Sequence, residues 1–257
     1  MKFRSLIFSL VFLQACSFMS DFYRAEKLVR EGKFHSAIEY YASFVKQHPE
    51  HPRAPVALLE IGKVQETILS NFDHAIVTYQ NLVNQYPVSE STVEGQERLA
   101  KILKNQKNDY QQALTEFDKL IRAVPTHQKA PVFQLEIAQC YTLLHQYQQA
   151  DLEFETLIER YPDFEKMDEV FFKKANNNYI AGQYAQALED YQKIISHFER
   201  SEFRVEAIFG LASTYEELDD FDKAKKYYEE VRNEYPSPKV IDIRLSGLEK
   251  RKANKKM

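Results

Sequence analysis

The sequence predicts an all-α fold, an α-solenoid of six helix–turn–helix repeats closed by a C-terminal capping helix. One motif occurs six times: an aromatic residue, alanine three residues later, a second aromatic after four more and, in five copies, proline after a further eight. The leading aromatic residues recur every 37 or 38 residues, a fixed period that is typical of stacked structural units. The copies are Phe34/Ala37/Tyr41/Pro49, Phe72/Ala75/Tyr79/Pro87, Tyr110/Ala113/Phe117/Pro125, Tyr147/Ala150/Phe154/Pro162, Tyr184/Ala187/Tyr191 and Phe221/Ala224/Tyr228/Pro236.

The motif itself lies on one face of a helix. In the fourth copy, the apolar residues from Tyr147 to Tyr161 fall at i, i+3, i+7, i+10, i+11 and i+14. Alanine at the second position allows the preceding helix to approach closely, and the aromatic that follows it fills the space one turn further on. Pro162 cannot continue the helix, so the chain turns there.

A second helix precedes the motif in each repeat and is apolar on more than one side. In the fourth repeat its apolar residues are Val132, Leu135, Ile137, Ala138, Tyr141 and Leu144. Such a helix needs neighbours on both flanks, which one pair of helices cannot supply. The pairs are therefore expected to stack.

The pattern resembles the tetratricopeptide repeat, whose signature combines a small residue, tyrosine, alanine, an aromatic and proline. The best match is Ile208-x-x-Leu211-Ala212-x-x-Tyr215…Ala224-x-x-x-Tyr228…Pro236. The resemblance covers residues 21–236 and implies a right-handed α-solenoid. The chain departs from the family in having no Trp, in one extra residue after Gly62 and after Ala100, and in Glu199 at the fifth proline position. We expect the longer period to lengthen the turns.

The six helix pairs can be placed in order along the chain. Glycine falls in the turns of the first and fifth pairs, at Gly32 and Gly182, and Ser89, Thr126 and Ser201 are predicted N-caps. A last helix, with Ile241, Leu245 and Leu248 on one face, is expected to close the stack. The predicted helices are 21–31, 34–48, 53–69, 72–86, 89–105, 110–124, 128–144, 147–161, 166–181, 184–198, 202–218, 221–235 and 238–251.

The N-terminus predicts an export signal with a lipid anchor. A basic start at Lys2 and Arg4 precedes an apolar run that is shorter than the roughly 20 residues needed to cross a bilayer. The run ends Leu13-Gln14-Ala15-Cys16, which resembles a bacterial lipobox, and the resemblance implies palmitate on Cys16. In lipoproteins of this kind, Ser17 after the lipidated cysteine implies export to the outer membrane, with the protein facing the periplasm. The alternative is an ordinary secretory signal, with Cys16 incidental. The predicted segments are 1–15 signal peptide, 16–20 lipid-anchored tether, 21–236 six-repeat solenoid and 237–257 capping helix with a basic tail.

Charge and motif content argue against several functions. The formal charge is −4, and removal of residues 1–15 makes it −6, which disfavours nucleic acid as a partner. No catalytic, phosphate-binding or metal-binding motif occurs, so the sequence predicts a protein that is not an enzyme and needs no cofactor or metal. Cys140 is expected to be a small buried core residue. The alternative is an envelope enzyme with a site in the concave groove of the solenoid, which would need a cluster of titrating residues converging there.

In the family that the repeats resemble, the first helix of each pair lines a concave groove that binds a protein or an extended peptide. Asn176 is the most informative residue, because Asn amides pair with the backbone of a bound peptide in members of that family. The alternative is that Asn176-Asn177-Asn178 is part of a turn in a weakly defined helix, since Asn is a poor helix former. The candidate groove residues are Leu135, Gln139, Phe172, Asn176, Tyr179, Phe209 and Ser213.

The lipobox, the chain length and the early start of the repeats resemble the lipoprotein component of the β-barrel assembly machinery. That resemblance implies a non-catalytic scaffold in outer-membrane protein assembly. Six regular repeats and a short tether are departures from that family. The repeats around Ala212–Pro236 also resemble the periplasmic repeat protein of the Tol–Pal envelope system, although its N-terminal coiled coil has no counterpart here.

Overall fold

The computed structural model describes residues 21–254, and within these residues the chain forms thirteen helices and no strand. Residues 1–15 and Cys16 therefore lie outside the described part. The helices are α1 (21–30), α2 (Phe34–Gln47), α3 (Ala54–Lys63, continued by a π-helix, Val64–Ile68), α4 (Phe72–Gln85), α5 (Glu90–Asn105), α6 (Tyr110–Ala123), α7 (Ala130–Leu143), α8 (Tyr147–Arg160), α9 (Met167–Ile180), α10 (Tyr184–His197), α11 (Arg204–Glu217), α12 (Phe221–Val231) and α13 (Pro238–Asn254).

The chain divides into two compact units between Pro125 and Thr126. In unit 1, three helix pairs pack in chain order, α1 with α2, α3 with α4 and α5 with α6. In unit 2, the pairs are α7 with α8, α9 with α10 and α11 with α12, and α13 packs on α12. The all-α class and the helix–turn–helix repeats predicted from the sequence are confirmed.

Burial explains why the motif repeats. The alanine of every copy is fully buried, and the second aromatic of every copy is at most 2% exposed. A third buried position follows three residues later in all six copies, and it holds Phe44, Leu82, Leu120, Leu157, Ile194 and Val231. The leading aromatic residues are only half-buried, except Phe221. The second helix of each pair is therefore held by its alanine and second aromatic more than by its first ring.

The turn inside each repeat depends on one residue with positive φ. Gly32 and Gly182 have φ of 73° and 75°, as the sequence led us to expect of turn glycines. The four other pairs place a residue with a side chain there, namely Ser70, Asn108, His145 and Asp219. This position recurs at the 37- or 38-residue period. The main-chain hydrogen bond that closes the turn spans five residues in four pairs, but six in the pairs with Ser70 and Asn108.

The extra residue of the second repeat lies in its first helix and not in a turn. After Gly62 the helix widens into the π-helix Val64–Ile68, where the amide of Leu69 bonds the carbonyl of Val64 at 3.0 Å. A π-helix is the usual result of inserting one residue into an α-helix. The expectation that the longer period lengthens the turns was wrong for this repeat.

The N-caps were predicted correctly at one of three positions. Ser89 accepts a hydrogen bond from the amide of Thr92, whose side chain bonds back to Ser89, and the two residues form a capping box. Thr126 and Ser201 do not cap helices, because α7 begins at Ala130 and α11 at Arg204. Ser201 instead donates to the carboxylate of Asp168 at 2.6 Å.

Candidate protein-binding site

Helix α9 occupies the centre of unit 2. It packs on its partner α10, on α8 of the preceding pair and on the first helices α7 and α11 of the neighbouring pairs. The sides of α7, α9 and α11 that remain exposed or half-exposed form what we call the first-helix face. Its residues are Gln139, Leu143, Asn176, Tyr179, Ile180 and Glu217.

Asn176 is held in place by a buried tyrosine. The hydroxyl of Tyr191, on α10, donates to Oδ1 of Asn176 at 2.5 Å. Burial raises the pKa of the Tyr191 hydroxyl, so it remains a donor at every physiological pH. The amide nitrogen of Asn176 makes no hydrogen bond to another part of residues 21–254. A fixed side chain therefore offers two N–H donors to a ligand.

The two following asparagines have structural roles. Asn177 is fully buried, donates to the carbonyl of Tyr147 at 3.0 Å and accepts from the hydroxyl of Thr142 at 2.9 Å. Asn178 is also fully buried and donates to Asp190 at 3.2 Å. All three asparagines lie inside α9, so the alternative of an Asn-rich turn is wrong.

Two exposed aliphatic residues share the first-helix face with Asn176. Leu143 at the end of α7 is 41% exposed, and Ile180 at the end of α9 is 58% exposed. They are 37 residues apart and thus occupy the same position of successive repeats. We did not select Ile180 from the sequence, although the repeat period applied to Leu143 would have found it. Glu217 holds this position on α11.

Tyr179 packs on its partner helix α10 and on a core cluster that includes Ala207 and Leu211 of α11. Its ring is half-buried and lies 5.9 Å from the ring of Tyr184. Burial and the nearby carboxylate of Glu217 raise the pKa of the Tyr179 hydroxyl. The hydroxyl is therefore a neutral hydrogen-bonding group at the edge of the face.

A buried charge cluster lies behind the first-helix face. Nζ of Lys174, on α9, is 3.0 Å from Asp190 Oδ2 on α10 and 3.1 Å from Asp151 Oδ1 on α8. Burial alone would lower the pKa of Lys174, but the two carboxylates outweigh it and raise the pKa. Burial raises the pKa of Asp190, more than Lys174 lowers it. The side chains of Lys174 and Asp190 are 8% and 3% exposed, so this cluster holds helices together and is closed to a substrate.

Two structural features are absent from the described part of the chain. No helix between residues 21 and 254 combines the length and hydropathy that a bilayer span requires. No group of three or more His, Cys, Asp or Glu side chains in these residues is arranged to hold a metal ion. Cys140 is a buried thiol, as the sequence predicted.

A family model described as tetratricopeptide repeat matches residues 95–127, 134–163 and 206–238. The three matched segments are similar to the tetratricopeptide repeat. The matched segments cover most of α5 with α6, α7 with α8 and α11 with α12. No curated protein matches the chain in sequence.

Solved structures of tetratricopeptide-repeat proteins share the fold. PilW, described as a widely conserved type IV pilus biogenesis factor, superposes with a TM-score of 0.60 at 18% identity, over 89% of this chain and 98% of PilW. YrrB, described as a TPR protein with an unusual peptide-binding site, gives 0.59 at 13% identity, over 78% and 95%. MamA gives 0.59 at 19% identity, over 70% and 91%. At these identities the likeness shows the fold alone.

The predicted groove residues divide into three groups in the structure, of which the two phenylalanines form the third. Gln139, Asn176 and Tyr179 lie half-exposed on the first-helix face. Leu135 is buried in a core cluster that also holds Phe154, and the hydroxyl of Ser213 is buried against that of Tyr228 at 3.0 Å. The expectation that Leu135 and Ser213 line an exposed groove is therefore wrong.

The two phenylalanines of the predicted groove are half-buried and packed on rings of their own unit. Phe172 stacks on Phe203, just before α11, with centroids 5.0 Å apart. Phe209 stacks on Tyr235, which follows α12, with centroids 4.6 Å apart. Each ring is covered by a residue 26 to 31 positions later in the chain. Counting helix positions did not predict this cover.

Unit 1 carries a charged network on its first helices that the sequence did not lead us to select. Glu66, in the π-helix, accepts from the Tyr79 hydroxyl at 2.8 Å and from Arg98 at 3.1 Å. Arg98 also bonds Glu94 at 3.0 Å, and Lys63 lies 3.6 Å from Glu94. Opposite charges alternate and satisfy one another, so this network has less unused hydrogen-bonding capacity than Asn176.

Proposed function

We propose that this protein is a non-catalytic scaffold that binds an extended segment of a partner protein on the first-helix face of unit 2. The observation that carries the proposal is Asn176, whose amide donors are unused and whose position is fixed by Tyr191. An extended peptide presents a backbone carbonyl that such a donor can bind. The tetratricopeptide-repeat fold supports the same reading.

The neighbouring side chains indicate what the partner segment contains. Leu143 and Ile180 are exposed aliphatic residues that an apolar side chain of the partner would cover. Glu217 is exposed and makes no ion pair within residues 21–254. A lysine or arginine next to the apolar residue would complement it. We infer that the partner segment is extended, apolar and flanked by a basic residue.

We also propose that the scaffold acts in the cell envelope, anchored to the outer membrane by lipid on Cys16 and facing the periplasm, in β-barrel protein assembly. The resemblance of residues 13–16 to a lipobox supports the anchor, and the predicted repeats that begin soon after Cys16 support the assembly role. A Tol–Pal envelope adaptor is the second candidate. The fold likeness to PilW adds type IV pilus biogenesis as a third system to test.

The anchor is tested by metabolic labelling with a palmitate analogue. We expect label on the wild-type protein in the outer-membrane fraction and none on Cys16→Ser, which should appear in the soluble periplasmic fraction. Label retained after Cys16→Ser would contradict the anchor. Labelling of the wild type in the inner-membrane fraction would contradict the location.

Partner capture tests the binding face. The double variant Asn176→Ala/Ile180→Ser, in the full chain, should reduce recovery of the cross-linked partner at least about ten-fold, because it removes a hydrogen-bond donor and an apolar contact of about 1 kcal/mol each. The partner is identified by mass spectrometry from cells that express the tagged protein. Far-ultraviolet circular dichroism should stay unchanged, since both side chains are on the surface.

The matched control is Asn84→Ala/Val77→Ser in α4, which alters an exposed asparagine and an exposed aliphatic residue of unit 1. We expect full partner recovery with this control. Equal recovery with both double variants would move the site elsewhere. The identity of the captured protein separates β-barrel assembly, Tol–Pal and pilus biogenesis.

A further inference from the structure

Helix α13 is attached to the rest of unit 2 by a narrow apolar contact. Ile241 and Leu248, seven residues apart, are buried against a cluster that contains Phe221, Tyr228 and Val231. Leu245 is partly buried between them, as the sequence predicted for this face. Most other residues of the helix are exposed, including Ile243 at 63%. One stripe of three side chains therefore supplies the apolar part of the attachment.

A buried carboxylate supplies the polar part. Glu216, at the end of α11, is 6% exposed and accepts from Arg251 at 3.1 Å, while Arg244 lies 3.6 Å away. Arg251 also donates to the main-chain carbonyl of Glu216 at 3.3 Å and to Asp219 at 3.0 Å. Two arginines, seven residues apart on α13, thus converge on one acidic corner of the repeat.

The remaining links are ion pairs between exposed side chains. Lys225 pairs with Glu249 at 2.8 Å and Arg232 with Asp242 at 2.7 Å, and Lys252 pairs with Asp222. Pairs of this kind contribute little because water screens them. These links position α13 but add little to its hold on the repeat.

Two further features weaken the attachment of α13 to α11 and α12. Gly247 lies in the middle of α13, where a glycine destabilises a helix, and a Cβ at this position would meet nothing within 4 Å. No close packing therefore requires a glycine here. A surface cleft of about 460 Å³ also lies along the contact of α12 with α13, lined by Phe221 and Lys225 on one side and Leu248 and Lys252 on the other.

We propose that α13 is a displaceable helix, and that the surface beneath it is a docking site for a basic amphipathic helix of a partner protein. The partner helix carries two aliphatic residues seven positions apart, to replace Ile241 and Leu248. It also carries two arginines or lysines seven positions apart, to reach Glu216 and Asp219. The α13 sequence is the template for this pattern, since it is the helix seated there. The proposal does not depend on the first-helix face.

The probe is a fluorescein-labelled peptide with this chain's residues 238–254, bound to the full chain in polarisation titrations. Two substitutions within α13 change the fraction of chains in which α13 is released. Neither of them alters the surface of α11 and α12 to which the probe would bind. Leu248→Ala removes a buried contact and should tighten the apparent Kd at least ten-fold. Gly247→Ala strengthens the helix and should weaken the apparent Kd about five-fold.

Equal affinity of all three chains would overturn the proposal, because α13 would then not compete with the probe. If Leu248→Ala fails to fold by circular dichroism, the Gly247→Ala arm decides alone. A probe carrying Arg244→Glu and Arg251→Glu should bind the Leu248→Ala chain at least ten-fold more weakly, and equal binding would overturn the basic pattern. Analytical ultracentrifugation tests whether two copies of the chain exchange α13. A wild-type dimer at low micromolar concentration would mean that α13 of a second copy occupies the site, and this would overturn the proposal of a partner helix.

Discussion

Lys174→Met is expected to lower the free energy of unfolding by about 3–5 kcal/mol, the typical effect of removing one partner of a buried ion pair. The ammonium group of Lys174 pairs with the carboxylates of both Asp190 and Asp151, and Asp190 is almost fully buried. Methionine keeps much of the side-chain volume but leaves Asp190 without the closest of its two lysine partners. Lys193, the other, lies 3.6 Å away from Asp190 and is half-exposed.

The matched control is Lys173→Met, one residue earlier on the same helix. Lys173 is 31% exposed and pairs with Glu169 at 3.4 Å, so its loss should cost less than about 1 kcal/mol. Lys174→Leu combined with Asp190→Leu should recover most of the stability lost in Lys174→Leu, since both buried charges are then gone. Urea unfolding followed by circular dichroism measures all four variants. A loss below 1 kcal/mol for Lys174→Met would show that water reaches the cluster.

Gly210→Ala is expected to destabilise unit 2 by about 1–3 kcal/mol, the usual range for overpacking a filled core. A Cβ on Gly210 would lie 2.4 Å from Cζ and 2.8 Å from the hydroxyl oxygen of Tyr191. The Tyr191 side chain is 2% exposed and belongs to a buried core cluster with Ala187, Ile194 and Leu211. The same hydroxyl holds Asn176, so the variant should also weaken partner capture.

Gly247→Ala is the opposing case, because its surroundings are open and its helix gains from alanine. We expect its free energy of unfolding to rise by up to about 1 kcal/mol. Thermal and urea unfolding of the two variants should therefore move in opposite directions from the wild type. A neutral Gly210→Ala would mean that Tyr191 yields easily, and Asn176 would then lack the fixed position on which the proposed site depends.

The repeat architecture was predictable because its signals are local. Ala150 and Phe154 are four residues apart, and their spacing alone places both on one buried face. The period then multiplies that inference six-fold. The predicted helix ends agree with the observed ones within three residues, except that α12 ends at Val231, four residues before its predicted end.

The binding face was predictable only in part, because distant residues decide which positions stay exposed. Asn176 and Asn177 are adjacent in sequence, yet Tyr191 and Tyr147 give them different roles. Phe172 was selected by its helix position, but the ring of Phe203 stacks on it. Such cover comes from another repeat, about 30 residues away, and no local periodicity contains it.

Lys174 shows the same limit for the core. The repeat pattern places an apolar residue at its position, as Ile137 and Leu211 show in the neighbouring repeats. The lysine was therefore visible as an exception, but its partners lie 16 residues ahead and 23 residues behind on other helices. Packing, and not spacing, brings the three charges together.

The π-helix at Val64–Ile68 has a consequence for how such chains change length. Because the surplus residue widens a single helical turn, the backbone regains its register by Ser70, where φ is again positive, as in the other pairs. Deletion of one residue at this place is expected to restore a regular α-helix and to change the orientation of Glu66, which bonds Tyr79 and Arg98. The alanine and second ring of the motif that follows, Ala75 and Tyr79, are therefore still buried despite the surplus residue.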